Sequence, residues 1–175
     1  MAEAAVQLRD LIRDVPDFPR PGILFKDITT LLKNPQGLSL AVEAMLRPFA
    51  GESLDLIVGI ESRGFILGAP LAVQRRCGFV PVRKPGKLPA DTLRQEYQLE
   101  YGQDAVEVHR DAIRTGQNVL LVDDVLATGG TMAATCELVE RLGGRIAGIS
   151  LLVELTFLHG RTKLAGHRVE AVVQY

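Results

Sequence analysis

Apolar positions recur along this chain at two spacings, and the alternation between them lays out the fold. Val6, Leu8, Leu11, Ile12 and Val15 return at helical intervals, which predicts a short amphipathic helix at the start. Pro16, Pro19 and Pro21 with Gly22 then enforce an extended, turning segment. Asn34 followed by Pro35 reads as a helix N-cap with proline in the first turn. Leu38, Val42, Met45 and Phe49 give that second helix a core face. Leu54–Ile60 reads as an apolar strand, a helix follows from about Gly64 to Arg76, and Phe79–Arg83 is a short strand.

Lys84 to Arg94 is polar and broken by Pro85, Gly86 and Pro89, so it reads as a long mobile loop. Tyr97, Leu99 and Tyr101 then alternate, as do Val106 and Val108 beyond Gly102-Gln103, the pattern of an antiparallel hairpin. Asn118–Asp123 is a buried strand, Met132, Cys136, Val139 and Leu142 mark the helix after it, and Gly143-Gly144 stops that helix. Ile146–Val153 and Arg168–Val173 supply two more strands. Apolar strands alternating with helices predict an α/β fold, a mostly parallel twisted sheet flanked by helices. No repeat, low-complexity tract or linker divides the chain, so one domain over 1–175 is expected, with 84–108 as a flexible loop and hairpin.

Composition narrows the function classes. Of 175 residues 47% are hydrophobic and 23% charged, which supports a packed core rather than disorder. A formal net charge of −1 argues against a general nucleic-acid surface. No apolar run approaches the roughly 18 residues of a membrane span, and the N-terminus has no apolar signal region. Cys77 and Cys136 form neither a disulfide framework nor a metal cluster. The expected setting is therefore a reducing cytoplasm, without nucleic-acid or membrane partners.

Candidate chemistry concentrates in Val119–Thr131, VLLVDDVLATGGT. A buried strand runs into two adjacent carboxylates, Asp123 and Asp124, and then into a loop of small residues at a helix start. Such a loop lets backbone N–H groups surround a phosphate at the positive end of the helix dipole. Carboxylates just before it can hold ribose hydroxyls or a magnesium ion. A P-loop nucleotidase is the competing reading, but no G-x-x-x-x-G-K-[ST] loop occurs. Glu61-Ser62-Arg63-Gly64 also follows a strand end, and a cation at a helix start is unfavourable unless an anion lies near. Arg83, Lys84 and Lys87 form a local basic cluster. His109, His159 and His167 are scattered, with no metal or triad partner in sequence.

VLLVDDVLATGGT resembles the signature of type I phosphoribosyltransferases that binds phosphoribosyl pyrophosphate. Further segments resemble the adenine-specific family within that group: PDFPRPGILFKDIT (Pro16–Thr29), GIESRGF (Gly59–Phe65), VRKPGKLP (Val82–Pro89), YQLEYG (Tyr97–Gly102) and LVELTFLHGRTKL (Leu152–Leu164). They come in the family's order and cover nearly the whole chain. The resemblance implies transfer of a phosphoribosyl group to adenine, giving AMP and pyrophosphate, with Mg2+, in a homodimer whose interface lies near Arg83. It also implies a small N-terminal hood, contributed by residues 1–33, over the base.

By that resemblance, Ala127, Thr128, Gly129, Gly130 and Thr131 cradle the 5′-phosphate. Asp123 and Asp124 hold the ribose, directly or through magnesium. Ser62, Arg63, Arg83, Lys84 and Lys87 face the pyrophosphate, the last three at the root of the mobile loop. Leu24, Phe25, Lys26 and Leu155 enclose the adenine, with Lys26 standing where many relatives carry arginine. Glu100 assists proton movement on the purine and Tyr101 helps close the loop. Another purine base, or a non-catalytic sensor of phosphoribosyl pyrophosphate, stays open as an alternative.

Overall fold

A computed structural model describes residues 2–99 and 102–175. Its elements are, in chain order, α1 (Ala2–Asp10), β1 (Arg13–Pro16), β2 (Leu24–Asp27), α2 (Thr29–Leu32), α3 (Pro35–Leu46), β3 (Leu56–Ile60) and α4 (Arg63–Arg75). There follow β4 (Gly78–Val82), β5 (Thr92–Leu99), β6 (Gly102–His109), β7 (Asn118–Leu126), α5 (Gly130–Arg141), β8 (Arg145–Glu154) and β9 (Val169–Gln174). Five strands form one sheet in the order β4-β3-β7-β8-β9, and every neighbouring pair is parallel.

The period-2 alternation of β7 explains why helices must cover both faces. Leu120 and Val122 enter a core with Leu8 of α1, Met45 of α3 and Leu71 of α4. Val119 and Leu121 enter the opposite core with Cys136 and Val139 of α5 and with Val106 and Val108 of β6. Each is almost wholly buried, worth about 1.5–3 kcal/mol per large aliphatic side chain. The start of α3 follows the predicted cap: the Asn34 side chain accepts the Gly37 amide at 2.9 Å.

Strand order creates the site. From β3 the chain passes through α4 to β4 on one side, and β7 then lies on the other side of β3. The reversal opens a crevice at the carboxyl ends of β3 and β7, the usual ligand position in open α/β sheets. Two antiparallel hairpins flank it. One is β1–β2, tied by Arg13 Nε to Asp27 Oδ2 at 3.1 Å. The other is β5–β6, docked on the sheet by backbone bonds between Arg83 and Glu107 at 2.9 and 2.7 Å.

Most element boundaries fall within a residue or two of expectation, and four points differ in substance. The first helix ends at Asp10, and Val15 belongs to β1; Val6 is 60% exposed, so helical spacing alone overstated that core face. β5 begins at Thr92, inside the expected loop, because it pairs with β6 up to His109. Gly102 and Gln103 are strand residues paired with Leu99 and Gln98, not a turn. β7 continues past Asp123 to Leu126 because Val125 and Leu126 still pair with Val153 and Glu154 of β8.

Candidate active site

The crevice is a cavity of about 670 Å³, within the usual range of roughly 300–1,000 Å³ for small-molecule sites. One wall comes from β2, through Leu24, Phe25 and Lys26. The floor comes from the ends of β3 and β7, through Ser62, Arg63, Asp123 and Asp124. Ala127, Thr131, Leu155 and Lys84 complete the expected lining residues. Beside it a hollow of about 90 Å³ is walled by the loop from Ala127 to Thr131. Ile23, Val125 and Leu158 also line the main cavity, as does Glu61, which the sequence offers only as part of its motif, without a role of its own.

The small residues of the loop are demanded by close backbone approach. Gly129 has a φ of +79°, and a Cβ there would meet the Gly160 carbonyl oxygen at 2.4 Å. A Cβ on Gly160 would in turn meet the Ala127 carbonyl oxygen at 2.2 Å. The loop after β7 and the loop after β8 thus interlock backbone against backbone. No side chain caps the N-terminus of α5, which leaves that helix end available to an anion.

Asp124 is buried and Asp123 partly so. Burial, and then the charge of its neighbour Asp124, pushes the Asp123 carboxyl well up. Burial also raises Asp124, and the Arg63 guanidinium only partly offsets it. Arg63 Nε lies 2.7 Å from Asp124 Oδ2, yet its approach is misaligned, and that oxygen has no hydrogen-bond partner. The same guanidinium stands 5.4 Å from the centre of the Phe25 ring, so it bridges the carboxylate and the β2 wall.

Glu61 organises the basic loop. Its Oε2 accepts Arg83 Nε and the Lys84 amide, each at 3.0 Å, and its Oε1 accepts Lys87 Nζ at 2.5 Å. Burial pushes the Glu61 carboxyl up, but these bonds outweigh it and hold it below its usual range. Arg83 and Lys87 are therefore gathered at the rim, and only Lys84 of the three lines the cavity. Lys26 is committed elsewhere, to Asp14 at 2.6 Å and to the face of Tyr175 at 3.8 Å. The peptide between Glu61 and Ser62 is cis. Glu100 and Tyr101 lie outside the described residues.

The loop after β8 is held from behind. Glu154, 3% exposed, accepts Arg161 Nε and Nη2 at 2.6 and 2.8 Å and the Gln174 amide at 2.9 Å. Burial raises its carboxyl, but the Arg161 and Gln174 bonds keep it below its usual range. Leu155, the next residue, donates its amide to the Leu126 carbonyl at 2.9 Å.

A hollow at a glycine-rich helix start, an acidic pair and an apolar wall lie along one switch-point crevice, and residues 28–166 match the phosphoribosyl transferase domain family, which makes the chain a member of the phosphoribosyltransferases. Within that class the chain belongs to the adenine phosphoribosyltransferase family. It is 56% identical over 170 residues to the adenine phosphoribosyltransferase of Acaryochloris marina, covering 97% of this chain and 100% of that one. It is similar to the crystal structure of the Rhodothermus marinus adenine phosphoribosyltransferase, with a TM-score of 0.95, 56% identity and full coverage of both chains. The Saccharomyces cerevisiae adenine phosphoribosyltransferase, solved with an imino-altritol bisphosphate and adenine, has a TM-score of 0.93 at 40% identity, covering 98% of this chain and 99% of that one.

Proposed function

We propose that this chain transfers the 5-phosphoribosyl group of phosphoribosyl pyrophosphate to adenine, giving AMP and pyrophosphate, a step of purine salvage. The observation that carries the reading is the lining of the crevice: the hollow walled by Ala127–Thr131 shares Asp123 with the main cavity, which Asp124, Leu24, Phe25 and Leu155 also line. Donor and base each have a compartment, with the ribose carbon between them.

In this reading the Ala127–Thr131 backbone and the Thr128 and Thr131 hydroxyls hold the 5′-phosphate. Asp123 and Asp124 orient the ribose hydroxyls, and their negative charge favours the cationic ribose that develops as the C1′–O bond breaks. Ser62, Arg63 and Lys84 receive the charge that accumulates on pyrophosphate. Arg83 and Lys87 join them when the loop releases Glu61. Leu24, Phe25 and Leu155 exclude water from the reacting carbon and present the base. Glu100 moves a purine proton and Tyr101 closes over it, roles carried by the family resemblance.

Among the described residues no group of three or more His, Cys, Asp or Glu could hold a metal by itself. The Asp124 oxygen that lacks a hydrogen bond, beside Asp123, nevertheless fits Mg2+ arriving with the donor, since that ion is commonly held by one or two carboxylates plus phosphate oxygens and water. When bound, the ion would neutralise charge on the donor's oxygens. We also propose a homodimer in the cytoplasm. Ile66 and Val73 on α4 are 47% and 80% exposed, an apolar strip on the helix that leads into β4 and Arg83. Both cysteines are free thiols.

The deciding experiment follows AMP formation from phosphoribosyl pyrophosphate and magnesium with adenine, with hypoxanthine and guanine in parallel. Turnover with adenine alone is expected. Turnover with another base would overturn the assignment of the hood wall. No turnover from protein that binds the donor would replace the enzyme by a sensor.

A further inference from the structure

Behind the phosphate loop lies a polar junction centred on Tyr97 and Asp104, which have no role assigned so far. Thr131 Oγ1 donates to the Tyr97 hydroxyl at 3.0 Å, and Lys84 Nζ donates to the same oxygen at 2.8 Å. The Tyr97 hydroxyl in turn donates to Asp104 Oδ2 at 3.1 Å. A phenol has one proton and two acceptor sites, so the capacity of this hydroxyl is fully used. Lys84 also pairs directly with Asp104, whose Oδ1 accepts the Ala105 amide at 2.8 Å. The junction joins four parts of the chain: the loop after β4, β5, β6 and the first turn of α5.

Its electrostatics are self-consistent. Burial disfavours the Lys84 ammonium, but its bonds to Asp104 and Tyr97 outweigh that and raise its pKa. Burial likewise raises Asp104, and the Lys84, Ala105 and Tyr97 donors bring it below its usual range. The Tyr97 ring lies against the phosphate loop as well: a Cβ on Gly130 would come 3.0 Å from ring Cδ2. Tyr97 lines neither the main cavity nor the phosphate hollow, whereas Thr131 lines both and Lys84 lines the first.

We propose that Tyr97 is a positioning residue for the phosphorylated donor: its hydroxyl, braced by Asp104, sets the Thr131 hydroxyl and the Lys84 ammonium at one spacing, matched to a ligand with a phosphate at one end and a pyrophosphate at the other. The assignment rests on Thr131 and Lys84 being phosphate contacts: with phosphate present the Thr131 hydroxyl turns its one proton from Tyr97 to the phosphate and accepts the Tyr97 proton in its place, the two oxygens keeping their spacing. Tyr97 acts only through them, so its loss falls on donor binding and spares the base.

Steady-state kinetics of Tyr97→Phe, Thr131→Val and the double variant test this, with donor and adenine varied separately. Tyr97→Phe keeps the ring against Gly130 and removes only the hydroxyl. It is expected to raise the donor KM about tenfold, with kcat within about threefold and the adenine KM unchanged. The double variant is expected to be little worse than Thr131→Val alone, because the two groups act as one unit. An unchanged donor KM in Tyr97→Phe, or fully additive losses, would overturn the proposal. If Thr131→Val and Lys84→Met both leave the donor KM unchanged, the phosphate reading falls and the proposal with it. If they raise it while Tyr97→Phe does not, only the proposal falls. Should Tyr97→Phe fail to fold, Asp104→Asn decides: a donor-only KM increase supports the brace, and wild-type constants refute it.

Discussion

Gly160 touches no proposed ligand position, yet replacing it should damage catalysis. A Cβ there would stand 2.2 Å from the Ala127 carbonyl oxygen and 3.1 Å from the Gly129 amide nitrogen, where ordinary contact begins near 3.4 Å. The nearest obstacle is backbone, so no side chain can turn aside. Either the phosphate loop or the loop after β8 must move by about 1 Å, and displacements of that size cost on the order of 100-fold in rate. Overpacking of this kind costs about 1–3 kcal/mol. At about 2–4 °C per kcal/mol for a chain of this size, Gly160→Ala should lower Tm by about 2–12 °C. Calorimetry and kcat/KM for the donor measure the two halves. Wild-type kcat/KM in a folded variant would show that the interlocked loops do not align the site. A wild-type Tm would show that the contact is not tight.

Asp123→Asn should lose most turnover yet melt about 2–4 °C higher at pH 7. The folded carboxyl is raised by burial and by Asp124, so stability is fullest below the unfolded pKa and falls as pH rises through the folded value. The asparagine variant should lack that fall, and a Tm no higher than wild type across the same titration would refute the assignment. Arg161→Met leaves the buried Glu154 unpaired and should cost about 2 kcal/mol, reduced from a fully buried pair because Arg161 is 41% exposed. It should also raise the adenine KM, since Leu155 follows Glu154 directly; denaturant melts and base-varied kinetics check both effects. Asp27 is held at about 2, against an ordinary 3.8, first by the Thr29 amide and then by Arg13. Its contribution is therefore present above pH ~4 and lost toward pH ~2, and Asp27→Asn should show a flatter acid limb in a stability-against-pH curve.

The chemistry legible in the sequence was the chemistry whose partners are local. Asp123, Asp124 and the Ala127–Thr131 loop form one strand–loop–helix run, and Asn34-Pro35 announces its helix within four residues. Glu61 was passed over because Arg83 and Lys87, the cations that it gathers, lie 22 and 26 residues further on. Tyr97 carried only the alternation of a hairpin face, and nothing in spacing says that its hydroxyl meets Thr131, 34 residues away. The start of β5 was hidden because Thr92 and Arg94 are polar, and their pairing with His109 and Glu107 sets the strand. Lys26 read as a base-pocket residue and does line the cavity, but its charge answers Asp14 and Tyr175.

The backbone contact between Gly129 and Gly160 limits how this scaffold can be re-specified for other bases. The loop after β8, proposed to lie beside the base, cannot be lengthened, shortened or exchanged as a cassette without displacing the loop after β7, proposed to hold the ribose phosphate. A redesign is therefore restricted to swapping side chains at Ile23, Leu24, Phe25, Leu155 and Leu158 on an unchanged main-chain trace. Libraries that vary loop length here should return unfolded or donor-blind proteins, whereas point-substitution libraries at those five positions keep donor handling intact.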